Sequence, residues 1–331
     1  MEQSKRPYFA ARRGSLMKAF TKKSYFIFGV ITGLLVGGLI AGSVSDLSIS
    51  QSLADTNSVF GLICASFGEV FGWAMMGVFG AMAWRLAQQV EKKLFKVLLI
   101  IFGACVVGVS FYLIFADMNS SHNGFKEISN IAVRLIIASI LEGGIAFGSF
   151  KLITTKNTKL LLTVWIVLMI AFYLGLAVNF ITKAIIARPR YRLIAGGYGD
   201  YSAADLFENW YSCGAKGLAE TVYPSGIVGS DDFKSFPSGH SFVSMSSILF
   251  FFVLMLNEKV KDKEWVRNLV LIGFACYGFL IEFARIRYGA HYLSDVSFGG
   301  LLAVLCCFLI PFFGFRFTEK KGFLKEKVQP E

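Results

Sequence analysis

The segment Leu160–Ile181 reads LLLTVWIVLMIAFYLGLAVNFI and holds no charged side chain. A bilayer-spanning helix needs roughly 20 mostly apolar residues. In lipid, a helix also satisfies every backbone N–H and C=O within its own segment. The stretch therefore reads as a membrane-spanning helix, and it sets the scale for the rest of the chain.

Seven more stretches of the same kind flank it. Tyr25–Ser43, Val59–Trp84, Leu94–Phe115 and Ile131–Phe150 precede it; Phe242–Leu256, Val266–Phe283 and Val296–Phe315 follow. The sixth of the eight is short unless its polar start, from Ser238, enters the headgroup layer. Composition agrees: 55% of residues are hydrophobic and 17% charged, with mean hydropathy +0.60. Soluble domains carry about 25% charged residues. Six prolines and no repetitive or Ser/Gly-rich stretch leave no room for a long linker. The first segment is too long for a cleavable signal and lacks a small-residue cleavage site. The expected fold is all-α, a polytopic membrane helix bundle of about eight transmembrane helices.

Orientation follows from Lys and Arg, which favour cytoplasmic loops. With the N-terminus inside, the first tail holds seven, the 85–96 loop four, the 151–159 loop three, the 257–268 loop four and the C-terminal tail five, 23 of the 33 in the chain. Both termini are then cytoplasmic, and this bias accounts for most of the net charge of +11 without any nucleic-acid partner. Of the nine outside, six (Lys183, Arg188, Arg190, Arg192, Arg285 and Arg287) crowd into two short segments. Five cysteines lie within apolar helices as small hydrophobes. Cys213 is alone in the large outer loop, so neither a disulfide framework nor metal-ligand spacing is visible there.

Three polar stretches fall on the outer side, each at a helix end: Lys183–Tyr191, Phe236–Ser241 and Arg285–Asp295. Lys183, Arg190 and Arg285 are fixed cations, and arginine's planar fork matches phosphate oxygens. Pro237-Ser238-Gly239 opens a helix whose first N–H groups lack internal partners, an anion-binding end. His291 and Asp295 are four apart, so on a helix they share a face. The carboxylate then holds one ring nitrogen and leaves the other free to attack. His240 supplies a second imidazole, placed to protonate a leaving oxygen. The third histidine, His122, sits in a polar outer loop and reads as solvated.

These residues resemble the three signature motifs of the type 2 phosphatidic acid phosphatase superfamily. Lys183 is followed by six residues and Arg190, Pro237–His240 is intact, and Arg285, His291 and Asp295 keep the third spacing. Tyr191 stands where the family has proline, and Ala284 where it has a serine that bonds near the phosphate. The resemblance implies a six-helix core over 94–315 with outer loop 191–236. It leaves tails 1–24 and 316–331 and an added N-terminal hairpin, 25–93. It also implies a two-step displacement: His291 attacks phosphorus to form a phosphohistidine, His240 protonates the leaving group, and water then hydrolyses the intermediate. Lys183, Arg190, Arg285 and the Ser238–Gly239 backbone stabilise the equatorial oxygens, with no metal or cofactor.

The implied function is a membrane phosphatase acting on a lipid phosphate at the outer face. Its partners are membrane lipids; no protein partner is specified. A soluble phosphate such as a sugar phosphate, transfer to another acceptor, or non-enzymatic anion transport are the alternatives. No broken helix pair marks a mid-membrane transport site. Arg188, Arg192 and Arg287 read equally as interfacial anchors. Glu69 and Glu142, at mid-depth where a charge costs at least ~2.5 kcal/mol, read as protonated residues bonded to neighbouring helices, outside the site. Gly33, Gly37, Gly38 and Gly42 read as a close-packing surface. The aromatic loop 191–236 either lies on the membrane or caps the bundle.

Overall fold

The computed structural model describes residues 16–120, 125–212, 217–224 and 228–322. His122 and Cys213 lie outside them. Within these residues the chain is all-helical, and eight helical spans are long and apolar enough to cross a membrane. They are α1 (Lys22–Leu53), the pair α2 (Val59–Phe67) and α3 (Val70–Ala87), α4 (Lys93–Asn119), α5 (Ile131–Leu152), α6 (Thr158–Ile185), α7 (Gly239–Ser246, with helical turns on to Leu256), α8 (Glu264–Arg287) and α9 (Leu293–Lys320).

Starts are set by short polar side chains. Thr21, Ser58, Asn130, Asn157 and Ser238 each cap a helix by accepting a backbone N–H from its first turn. That satisfies a donor the helix leaves orphaned. The sixth span is short, as its sequence suggests, but it is the most enclosed. It begins at Gly239 and passes through two 3₁₀ segments, Ser247–Leu249 and Leu254–Leu256. Since 3₁₀ turns rise about 2.0 Å per residue against 1.5 Å for α, the same residues reach further across the bilayer. Phe242, Ile248, Phe251 and Phe252 are completely buried there.

Around this axis α6, α8 and α9 form one wall and α3 another, with α4 and α5 packed outside α3 and α1 along α9. The N-terminal hairpin is thus no appendage in space, because α3 reaches the middle of the bundle. A Cβ on Gly72 of α3 would collide with the Val243 backbone of α7. The glycine surface of α1 divides in two. Gly38 and Gly42 press against Ser297 and Ser294 of α9, whereas Gly33 and Gly37 face open space. Glu142 follows the hydrogen-bonded reading, accepting from Ser110 Oγ at 2.8 Å between α4 and α5.

The loop after α6 packs as a cap. Ile194, Leu206, Ala219 and Tyr223 enclose Tyr292, while Trp210 stacks on Phe236 at 5.0 Å and donates to Ser43 of α1. Tyr201 and Tyr211 stay exposed.

Candidate active site

The end of α6, the start of α7, the end of α8 and the turn before α9 meet at one end of the bundle. They surround a cavity of about 320 Å³. Lys183, Arg190, Gly239, His240, Arg285 and His291 all line it. Three motifs separated by up to a hundred residues therefore face one space.

Its cationic side is built for an anion. Arg285 is 3% exposed, and its Nε and Nη1 have no partner among the described residues. Buried donors left unsatisfied cost more than the average hydrogen bond contributes, so such a group marks a place where a ligand acceptor fits. Arg190 is held in position: its Nε donates to the Asp231 carbonyl at 2.8 Å and its Nη2 pairs with Asp231 Oδ2 at 2.9 Å. Burial opposes ionisation of Asp231, but Arg190, Lys183 and Arg192 together hold its carboxyl below the usual range. Gly239 keeps the approach open; a Cβ there would stand 3.5 Å from Lys183 Nζ.

His291 departs from the expected geometry. It is not helical, because α9 starts at Leu293 with Tyr292 as its cap. Its Nδ1 lies 2.6 Å from the Ser235 carbonyl, whereas Asp295 Oδ2 stands 3.8 Å away. The carboxylate is occupied elsewhere: Oδ2 accepts from Ser235 Oγ and Tyr292 N, and Oδ1 from Arg188. A carbonyl only accepts, so Ser235 fixes the proton on Nδ1 and leaves Nε2 with a free lone pair. Burial pushes the His291 pKa down to about 3; Asp295 opposes the shift, while Arg190, Lys183 and Arg285 add to it. The imidazole is therefore neutral at physiological pH, the form a nucleophile needs. Asp295 and Ser238 do not line the cavity. The Ser238 hydroxyl is spent on capping α7.

Arg188, open between anchor and function in the sequence, is completely buried. It bridges Asp295 at 2.5 Å and Asp46 of α1 at 2.9 Å. Arg287, by contrast, ties the α1–α2 turn through Asp55. Ala284 is buried against Cys64 and Ile281, so that position faces α2 and not the cavity. The aromatic ring of Tyr191 packs edge-on against Tyr292.

The structure corrects the placement of Glu69. It lines the cavity, and its Oε1 lies 3.1 Å from His240 Nδ1. Sequence reading excluded it because its helix carries no motif; the signal it did give was a carboxyl group at mid-span. Trp73, Asp117 and Asn179 line the cavity too. Asn179 lies one helical turn before Lys183, and both its amide atoms are buried without a partner among the described residues. Asp46 was also missed.

Comparison with known proteins fits this arrangement. Phosphatidylglycerophosphatase B of Haemophilus influenzae (strain ATCC 51907 / DSM 11121 / KW20 / Rd) is 30% identical to the chain over 122 residues, which is 36% of this chain and 46% of that protein. The chain thus spans about half the length of that curated relative. No solved structure matches. The PAP2 superfamily matches residues 147–319, over half of the chain and across all three cavity-lining motifs, and to that superfamily this protein belongs.

Proposed function

We propose that the protein is a phosphatase that releases phosphate from a lipid phosphomonoester or diphosphate at the outer membrane face, through a phosphohistidine on His291. The observation that carries this reading is the cavity itself. It sets one neutral imidazole and a second histidine beside Lys183, Arg190 and Arg285. Nε2 of His291 attacks phosphorus while His240 gives a proton to the leaving oxygen. Water then attacks phosphorus, the P–N bond breaks, and His240 takes the water's proton. The cations carry charge on the equatorial oxygens, where phosphoryl transfer is mostly catalysed.

A lipid is favoured by the apolar part of the cavity lining. Leu176, Phe180 and Val243 line the cavity, and Phe180 is 57% exposed on the lipid-facing side of α6. An apolar tail passing Phe180 leaves its phosphate at Lys183, one turn further along the same helix face. Purified protein in detergent is expected to release phosphate from lipid phosphates faster than from sugar phosphates. It should keep that activity in excess chelator and lose it to orthovanadate, which occupies the phosphate pocket as a five-coordinate mimic. Release confined to soluble phosphates overturns the lipid assignment; loss in chelator restored by magnesium overturns the metal-free mechanism.

The outer location rests on charge counting and is tested with Cys213, the sole cysteine outside the eight spans. A membrane-impermeant thiol reagent on intact cells should label the protein, and Cys213→Ser should remove the label. Labelling that depends on Cys213 but appears only after permeabilisation places the loop, and the substrate, inside.

A further inference from the structure

The second span is broken where it meets the site. Its first half ends at Gly68 and its second half starts after Glu69. A break frees carbonyls that lipid cannot satisfy, and here Tyr277 Oη of α8 donates to Gly68 O at 2.7 Å and reaches Phe67 O at 3.3 Å. The interruption is therefore stabilised in place. What it presents to the cavity is a carboxyl group. Glu69 Oε1 faces His240 Nδ1, and Oε2 accepts from Trp73 Nε1 at 2.9 Å; the same indole N–H reaches Asp117 Oδ2 of α4 at 3.1 Å. The other ring nitrogen of His240, Nε2, lies 3.2 Å from the Ala65 carbonyl at the end of α2. Both ring nitrogens thus lie within hydrogen-bond reach of an oxygen.

We propose that Glu69 is the positioning residue for His240: it holds the Nδ1–H, leaves Nε2 as the atom that exchanges the catalytic proton, and stabilises the imidazolium. The proposal rests on the reading of His240 as proton donor. In the first step the Nε2 proton leaves the Ala65 carbonyl for the leaving oxygen as the P–O bond breaks. In the second, Nε2 takes a proton from the attacking water as the P–N bond breaks and its electron pair returns to His291. Glu69 keeps its hold on the Nδ1–H throughout, so the cycle closes without another co-reactant. The N-terminal hairpin then completes the catalytic unit. Its contributing residues, like Asp117, lie outside the 147–319 family match.

The groups around His240 differ in charge. Glu69 stands 3.1 Å from Nδ1, with Asp117 behind it through the Trp73 indole; Arg285 of α8, Lys183 of α6 and His291 share the same cavity. Tyr277 and Cys64 flank the break, and Arg190, Arg192 and Asp231 stand across the cavity. Glu69→Gln therefore replaces the acidic group nearest the His240 Nδ1–H with a neutral amide, and the imidazolium formed in the cycle loses that support.

The test uses full-length protein in detergent micelles, with a long-chain alkyl phosphate and p-nitrophenyl phosphate as probes. For Glu69→Gln, kcat on the alkyl phosphate should fall about 10–100-fold, a part of the ~10²–10⁴ a general acid contributes, with KM nearly unchanged. The alkaline limb of its kcat profile should move to lower pH. On the aryl phosphate, whose leaving group needs little protonation, most of the deficit should vanish. Trp73→Phe removes the N–H that holds Glu69 and should show the same pattern more weakly, which decides the matter where Glu69→Gln fails to fold. Equal losses on both probes with an unmoved alkaline limb, or no loss at all, overturn the proposal. His240→Ala is the separating control: if it shows no dependence on the leaving group, the donor role of His240 fails first.

Discussion

His291→Ala is expected to abolish turnover on every substrate while leaving the protein folded. In the proposed mechanism its Nε2 forms the covalent intermediate, and alanine has no nucleophile to replace it. The residue is 1% exposed and lines the cavity, and the Ser235 carbonyl holds Nδ1, which leaves the lone pair on Nε2. Alanine removes the attacking atom and leaves Lys183, Arg190 and Arg285 in place, so inorganic phosphate should still bind, whereas orthovanadate loses its fifth ligand. His240→Ala differs in kind. It should slow turnover by about 10²–10⁴-fold, and a better leaving group should recover that loss but not the loss at His291. The check is phosphate release measured on both variants with alkyl and aryl phosphates. Near-normal turnover by His291→Ala sinks the mechanism.

The second large effect is on stability. Arg188→Met is expected to destabilise the protein by about 3–5 kcal/mol, the range for breaking a buried ion pair from one side. Arg188 is completely buried, and it bridges Asp46 on α1 to Asp295 on α9 while also donating to Ser294 and the Glu208 carbonyl. Methionine fills much of the volume but strands two carboxylates without their cation. Lysine keeps one charge yet lacks the planar fork that reaches both, so Arg188→Lys should recover only part of the loss. Asp46→Asn in the Arg188→Met background should restore some stability, since it removes one of the stranded charges and the two sites are in contact. Thermal unfolding in detergent provides the measure, with His291→Ala as an inactive but stable reference. An unchanged unfolding midpoint for Arg188→Met overturns this account. Because Asp295 carries the turn that presents His291, turnover should fall with the fold.

Much of the molecule was legible in its sequence. Eight apolar runs gave eight spans, because the bilayer makes length and apolarity sufficient conditions for a helix. Lys183, Arg190, Gly239, His240, Arg285 and His291 were marked by residue type and spacing, and all of them line the cavity. Chemistry that needs cations and imidazoles leaves few places for them in a chain this apolar. The aromatic loop was read as either membrane-lying or a cap; burial of Tyr223 and the Trp210–Phe236 stack show the cap.

What the sequence could not carry was which distant residue meets which. The four-residue spacing of His291 and Asp295 suggested a helical pair, yet helix α9 begins only at Leu293, and Asp295 serves Arg188, Ser235 and the helix start. Spacing along a chain reports contact only where the backbone is regular, and the turn before α9 is not. Arg188 looked like any interfacial arginine, because its partner Asp46 lies 142 positions away. Glu69 looked like an isolated polar residue inside an apolar run, because neither the break at Gly68 nor the approach of α3 to α7 has a local periodic signature. Residue chemistry and hydrophobic length are properties of the chain, and they determined the helix bundle and most of the residues that line its cavity. The pairing of Glu69 with His240, the burial of Arg188 and the carbonyl that fixes the His291 tautomer are properties of packing, and only the tertiary structure decided them.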